Sequence, residues 1–265
     1  MNSTGQETPT ETPDGFYVVA REPGAEHPAL PTWANRRTNP GGLDHAPSTV
    51  VSRRNIVDVP GVFQLINVLS EGECRRLIEL TEAVGYLPDA AVSLPRTIRH
   101  NDNVTWVVDE ETVQRVWQRC AQGFDEQRHL HFGKHALGLN ARFRFYRYQA
   151  GDYFKPHTDG SWFGSAVVDE QLIADAFGDR YSQLSFVLFL TDEFEGGRTE
   201  FYMDRDNPER PARELNAAKI VQVATQSGAA ICFPHGLHPW HCLHSSETIN
   251  HGVKYIIRTD VLFEI

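Results

Sequence analysis

No CxxC pair, no long apolar run and no excess of basic charge occur in this sequence, and each absence removes a class of protein. The four cysteines, Cys74, Cys120, Cys232 and Cys242, are scattered, so neither a disulfide-stapled secreted module nor a cysteine-rich zinc domain is indicated. No segment reaches the roughly eighteen apolar residues of a membrane helix. The start, MNSTGQETPTETPDG, lacks the basic and apolar regions of a signal peptide. The expectation is a soluble intracellular protein, cytoplasmic in the simplest case, with no membrane association. Lysine and arginine total 25 against 35 acidic residues, a formal charge of −10, which disfavours a long phosphate-backbone contact and hence a nucleic-acid partner. Matches to glycosylation acceptors at Asn2 and Asn103 therefore read as chance.

What is present is ordinary for a globular chain. Its 265 residues are 40% hydrophobic and 23% charged, enough for a sizeable core in one large domain. Residues 1–55 are rich in Pro, Gly, Thr and Asn without periodicity and read as an arm or irregular extension; residues 56–265 read as the domain proper. Ser70 with Glu73 forms a capping box opening a helix to about Ala83, with Cys74, Leu77, Ile78 and Val84 on its buried stripe. A second helix is expected from Glu110 to about Arg128, carrying Val113, Val116, Trp117, Cys120 and Phe124 on one side.

From about residue 140 the texture changes. ARFRFYRYQ, QLSFVLFL, RTEFYM, KIVQVA, AAICF and VKYIIRTDVLF are short runs rich in β-branched and aromatic residues, separated by glycines and acidic turns. The fold class is mainly β with supporting α-helices. Such strands bury their faces by two-layer packing or closure, so the expected form is a double-stranded β-helix, the cupin-like jelly roll. Residues 167–177, VVDEQLIADAF, interrupt the strands and read as a short helix over one rim or as a solvent-facing insertion.

At the end of the first long strand, His157 and Asp159 are two residues apart, so an extended backbone presents both to one side. An imidazole and a carboxylate can share one ion, and a nitrogen from a later histidine would complete a two-histidine, one-carboxylate face with positions left open. Histidines at 235, 238, 241, 244 and 251 are available for this. Alone, His-X-Asp is a weak signal, and Cys232 and Cys242 with these histidines could instead form a zinc site. Lys254, Ile256 and Arg258 share a strand face. A cation pointing into an apolar barrel needs an anion, whereas an outward-facing lysine needs nothing.

RFRFYRYQAGDYFKPHTDG at 142–160, LSFVLFLTDEFEGGRTEFY at 184–202, GAAICFPHGLHPWHCLH at 228–244 and GVKYIIRTDVLF at 252–263 together resemble the iron(II)- and 2-oxoglutarate-dependent oxygenases, most closely the prolyl 4-hydroxylase-like branch. IRHNDNVTW and the helix after it also resemble the region preceding that branch's catalytic core. The resemblance implies His157, Asp159 and His244 as the iron ligands, His244 because it lies ten residues before the basic residue, Lys254, that holds the cosubstrate. It implies Tyr148 as a further cosubstrate contact, with Thr199 facing the same pocket. Arg258 is left between reinforcing that pocket, contacting substrate and pairing with an acid.

The implied cofactor and cosubstrates are Fe(II), 2-oxoglutarate and dioxygen, with ascorbate as an optional reductant. The implied activity is that of a dioxygenase that decarboxylates 2-oxoglutarate to succinate and CO2 while hydroxylating an unactivated C–H bond. The leading substrate is a peptidyl proline, the alternative a free amino acid or other small molecule; a non-catalytic metal-binding jelly roll is a third reading. Trp162, Phe163 and Trp240 are candidates for a substrate clamp or for rim packing. Arg96, Arg99, Asn101 and Asn103 are candidates for a lid or an exposed connection. Oligomeric state is not legible in the sequence.

Overall fold

The computed structural model of the chain describes residues 15–47, 49–91, 93–125 and 133–265. Its strands are β1 (Phe16–Glu22), β2 (Leu30–Asn35), β3 (Ser52–Asn55), β4 (Phe63–Ile66), β5 (Arg99–His100), β6 (Asp102–Val107), β7 (Ala136–Leu139), β8 (Arg142–Tyr148), β9 (Tyr153–His157) and β10 (Ala166–Val168). They continue with β11 (Gln171–Ile173), β12 (Arg180–Phe189), β13 (Phe194–Gly196), β14 (Thr199–Asp204), β15 (Ala218–Val223), β16 (Ala230–Pro234), β17 (His244–Ser246), β18 (Ile249–Gly252) and β19 (Lys254–Glu264). Helix α1 (Glu71–Val84) follows β4, and α2 (Glu110–Cys120) and α3 (Gln122–Asp125) follow β6. Among the described residues no helix is long and apolar enough to cross a membrane.

A ten-stranded sheet runs in the order β1-β2-β6-β8-β19-β12-β16-β4-β3, with β7 also on β19, and a five-stranded sheet runs β15-β14-β17-β9-β5. Two-residue alternation sorts the large sheet into two faces. Phe143 and Phe145 of β8, Phe186 and Leu188 of β12, and Ile257 of β19 share one core with Cys74 and Leu77 of α1 and Val113 and Val116 of α2. The intervening residues, Tyr146 and Tyr148, Val187 and Phe189, and Ile256, share a second core with Phe201 and Met203 of the small sheet. The helices therefore cover one face of the large sheet and the small sheet covers the other.

The capping box is present as expected, Ser70 and Glu73 each bonding the other's backbone N–H at the start of α1. Three features differ from the sequence reading. The supposed arm supplies β1, β2 and β3: Phe16 is fully buried edge-on to Trp106, and β2 pairs in parallel with β6. Partners this distant leave no local periodicity to read. The stretch 167–177 holds a hairpin, β10–β11, with Asp169 and Glu170 at φ 49° and 57°. That left-handed pair is the two-residue turn matching strand twist, and the short side chain of Asp169 tolerates it better than most. Third, α2 ends at Cys120 and α3 at Asp125; the continuation to Arg128 lies outside the described residues, as does the Asn2 acceptor match. Asn103, the other match, is buried.

Candidate active site

His157 closes β9 and His244 opens β17, and the two are directly opposite in the antiparallel pairing of these strands. Two segments far apart in sequence thereby place their imidazoles side by side, ring centroids 4.2 Å apart. Asp159, just past β9, turns its carboxylate toward both: Oδ1 lies 3.6 Å from His157 Nε2 and Oδ2 lies 3.7 Å from His244 Nε2. One ligand atom from each of the three residues falls within 4.8 Å of the others, and this is the group of metal-ligating side chains that converges among the described residues.

The rings are held by their other nitrogens. His157 Nδ1 donates to the Lys155 carbonyl at 2.8 Å, and His244 Nδ1 donates to the Cys242 carbonyl at 3.1 Å. A carbonyl can only accept, so each Nδ1 carries a proton, and the neutral form of either ring keeps its lone pair on Nε2. Phe154 stacks on His157 at 3.5 Å and Phe233 leans on His244 at 4.5 Å. Burial, then the neighbouring His157, pushes His244 down to about 3, so it is neutral at physiological pH. Burial alone would raise Asp159. The Arg258 guanidinium and both imidazoles outweigh it and hold the carboxyl well below the usual range.

Asp159 Oδ2 accepts a hydrogen bond from Ser185 Oγ at 2.6 Å and another from Arg258 Nε at 3.2 Å. Ser185 in turn lies 2.8 Å from His235 Nδ1, while His235 Nε2 lies 2.9 Å from Ser182 Oγ. His235 therefore supports the carboxylate through a serine and is not part of the converging group. His241 is engaged with Arg213 at 2.7 Å, His238 Nδ1 accepts from the Trp240 backbone, and His251 is exposed on β18. Cys232 and Cys242 are fully buried thiols pushed up by burial. They do not join the converging group, so the zinc arrangement is not formed.

Beside the triad is a cavity of about 50 Å³, lined by Tyr148, Thr199, Lys254 and Arg258 as well as His157, Asp159 and His244. All seven residues singled out in the sequence meet there. Lys254 is 1% exposed. Its Nζ donates to the Gly197 carbonyl at 2.7 Å and to Ser246 Oγ at 2.9 Å, both neutral acceptors, and it sits 5.1 Å from the Tyr148 ring. Burial brings this ammonium down to about 7. A buried cation held only by neutral oxygens is prepared for an anion. Arg258 is different: it bonds Asp159 and, through a terminal nitrogen, Asp260 at 3.0 Å. Its hydrogen bonds go to acids of the chain, and it also lines the cavity.

The donor set fits a divalent transition metal of the two-histidine, one-carboxylate type with positions left open, and the ammonium fits the far carboxylate of a chelating keto acid. Of the other candidates, Trp162 lies over the Arg144 guanidinium at 4.6 Å, Phe163 is exposed against Tyr181, and Trp240 does not line the cavity. Arg99 sits 5.3 Å from the Tyr146 ring and 6.0 Å from the Phe154 ring, both of which line the cavity, whereas Arg96 contacts His100. Sequence reasoning missed Ser185, Ser246 and Arg144, and it weighed His235 as a ligand candidate and not as a support for Asp159. For Ser185 and Arg144 a signal existed, since alternation places them on the same strand faces as Phe189 and Tyr148.

A converging two-histidine, one-carboxylate group beside a buried lysine is a donor arrangement of the non-haem oxygenase type. Residues 143–259, which carry all seven side chains, match the family model described as the 2OG-Fe(II) oxygenase superfamily. No curated protein matches the chain. Solved structures similar to it include a Pseudomonas putida prolyl-4-hydroxylase, with 16% identity over 76% of this chain and 91% of that one, TM-score 0.46. Another is the collagen prolyl hydroxylase of Paramecium bursaria Chlorella virus-1 in a 2OG complex, 15% identical over 82% and 98%, TM-score 0.46. A Trichoplax adhaerens prolyl hydroxylase in complex with a hypoxia-inducible-factor peptide is 14% identical over 77% and 84%, TM-score 0.49. At these values the likenesses say nothing about this chain's substrate.

Proposed function

We propose that this protein is an iron(II)- and 2-oxoglutarate-dependent dioxygenase that hydroxylates an unactivated C–H bond of a peptide or small molecule. The observation that carries the reading is the meeting of His157, Asp159 and His244 in one cavity with the buried ammonium of Lys254. The two facing sheets are, in this reading, the halves of a double-stranded β-helix. Iron(II), when bound, supplies the oxidation in which 2-oxoglutarate and O2 become succinate and CO2 while substrate C–H becomes C–OH.

The chain's own groups bind and orient. His157 and His244 offer Nε2 and Asp159 its carboxylate, Lys254 holds the distal carboxylate of 2-oxoglutarate, and Tyr148 and Thr199 wall the keto acid in. Ser185 and Arg258 keep the Asp159 carboxylate aimed and ionised. Phe154, Phe189 and Phe233 line the same space and limit water. A peptidyl proline and a free amino acid are the two substrate readings.

The test is succinate formation by anaerobically purified protein given Fe(II), 2-oxoglutarate, ascorbate and then air, with His157→Ala as control. Succinate from the wild type and none from the control supports the oxygenase. Binding of metal and keto acid with no succinate across a panel of peptides and amino acids favours a non-catalytic metal-binding protein.

A further inference from the structure

Buried polar atoms without a hydrogen bond gather beside the triad. Both terminal nitrogens of Arg144, Oδ1 of Asn103 and Oδ2 of Asp260 have no hydrogen-bond partner, and all three residues are buried. They share one region of the large sheet. Arg144 stands directly opposite Arg258 in the β8–β19 pairing, and Asn103 stands opposite Tyr146 in the β6–β8 pairing. Tyr146 and Arg258 line the cavity, so Arg144 continues that same face one position further from Lys254.

The Arg144 side chain is 4% exposed, and the closest carboxylate oxygen to it, Asp260 Oδ2, is 3.6 Å away, beyond hydrogen-bonding range. Asp260 gives its other oxygen to Arg258, and Arg142 is bonded to Glu22 at 2.6 Å. Three guanidinium groups thus face three carboxylates, but Asp159 is the acid that a metal would take. Arg144 is the cation least compensated, and burial followed by the neighbouring Arg258 brings it down to about 10. Half-buried Trp162 roofs its guanidinium at 4.6 Å.

We infer that Arg144, under Trp162, binds a carboxylate of the substrate, so that the substrate is a carboxylic acid whose reactive C–H lies a few bonds from the acid group. The inference rests on the oxygenase reading and names the substrate class of that site. A guanidinium presents two parallel N–H donors to a carboxylate, which an ammonium or an amide partner would not use equally. Adjacent strands are roughly 5 Å apart, so an acid held at Arg144 lies one strand from Arg258, which itself touches Asp159. That span suits a compact molecule or a chain terminus, whereas an internal peptide residue has no backbone carboxylate to offer.

The experiment uses the full chain loaded with Mn(II) and 2-oxoglutarate, which blocks turnover. Thermal shift is read with the twenty proteinogenic amino acids, their carboxamides, and tripeptides ending in the best residue with free or amidated C-termini. Expected is a shift with at least one free acid, an apparent affinity about tenfold weaker for its amide, and a similar loss for the acid in Arg144→Gln. Arg144→Lys should recover part of it. The tripeptides tell a free acid from a chain terminus.

An amide that stabilises as well as its acid, an acid shift untouched in Arg144→Gln, or no shift with any acid while Mn(II) and 2-oxoglutarate both bind overturns the inference. If Arg144→Gln does not fold, the acid-to-amide comparison on the wild type still decides. Absence of any shift with Mn(II) and 2-oxoglutarate removes the oxygenase reading itself, and this inference with it.

Discussion

His157 and His244 are cross-strand partners, each with Nδ1 bonded to the carbonyl two residues before it and Nε2 turned toward Asp159. The repeated bond to the i−2 carbonyl fixes both tautomers from the backbone, so the metal face exists before any ion arrives. Asp159→Ala removes the one negative ligand of that face. Its Fe(II) affinity, measured by anaerobic titration, should fall by at least about 100-fold, while the far-ultraviolet circular dichroism stays that of the wild type.

Ser185 is the link between Asp159 and His235. Ser185→Ala removes one of the hydrogen bonds aiming the carboxylate and leaves both imidazoles in place. The expected result is a metal affinity lower by about 10- to 100-fold with the same stoichiometry. Unchanged affinity would show that Arg258 alone orients Asp159.

Lys254 is brought down to about 7 by burial, from the ordinary lysine value of 10.5. Binding the distal carboxylate of 2-oxoglutarate requires the ammonium, so affinity should be highest below about pH 7 and weaken as pH rises. Because the bound carboxylate raises the lysine again, binding near pH 8 should take up a proton, which calorimetry in buffers of different ionisation enthalpy can count.

The same residue affects stability in the opposite sense. Below pH 7 both folded and unfolded states carry the charge, and the buried one is penalised in full. Between about 7 and 10.5 the unfolded chain binds more protons than the folded one, so stability rises with pH. Lys254→Met should therefore be more stable than the wild type at pH 6, by a few kcal/mol at most, with the gap closing toward pH 10. Denaturant unfolding at both pH values measures it.

Phe16 tests whether the N-terminal strands are integral. It is wholly buried against Trp106, and Phe16→Ala should cost about 3–5 kcal/mol. A change within 0.5 kcal/mol, roughly that of a surface site, would mean that β1 is dispensable.

The candidate site was more legible than the fold around it, for a physical reason. The spacing of His157 and Asp159 and the shared face of Lys254 and Arg258 are local and survive in the sequence as period-two patterns. The choice of His244 among several histidines came from the family resemblance, and the β9–β17 register is consistent with that choice. By contrast, β1 to β3 are held by partners far along the chain, and the 167–177 hairpin depends on two acidic residues adopting left-handed backbone. Neither leaves a strong local pattern. The support that His235 gives Asp159 through Ser185 escaped because a hydrogen-bonded relay needs no particular spacing.

An oxygenase of this kind must bind iron on this face and chelate a keto acid there. Anaerobic titration with Fe(II) followed by 2-oxoglutarate, read as visible charge-transfer absorbance, tests this with no knowledge of the substrate. A saturable band with one iron and one 2-oxoglutarate per chain, absent in Asp159→Ala, is the predicted result. Iron bound with no band on adding 2-oxoglutarate, or no iron bound at all, would contradict it.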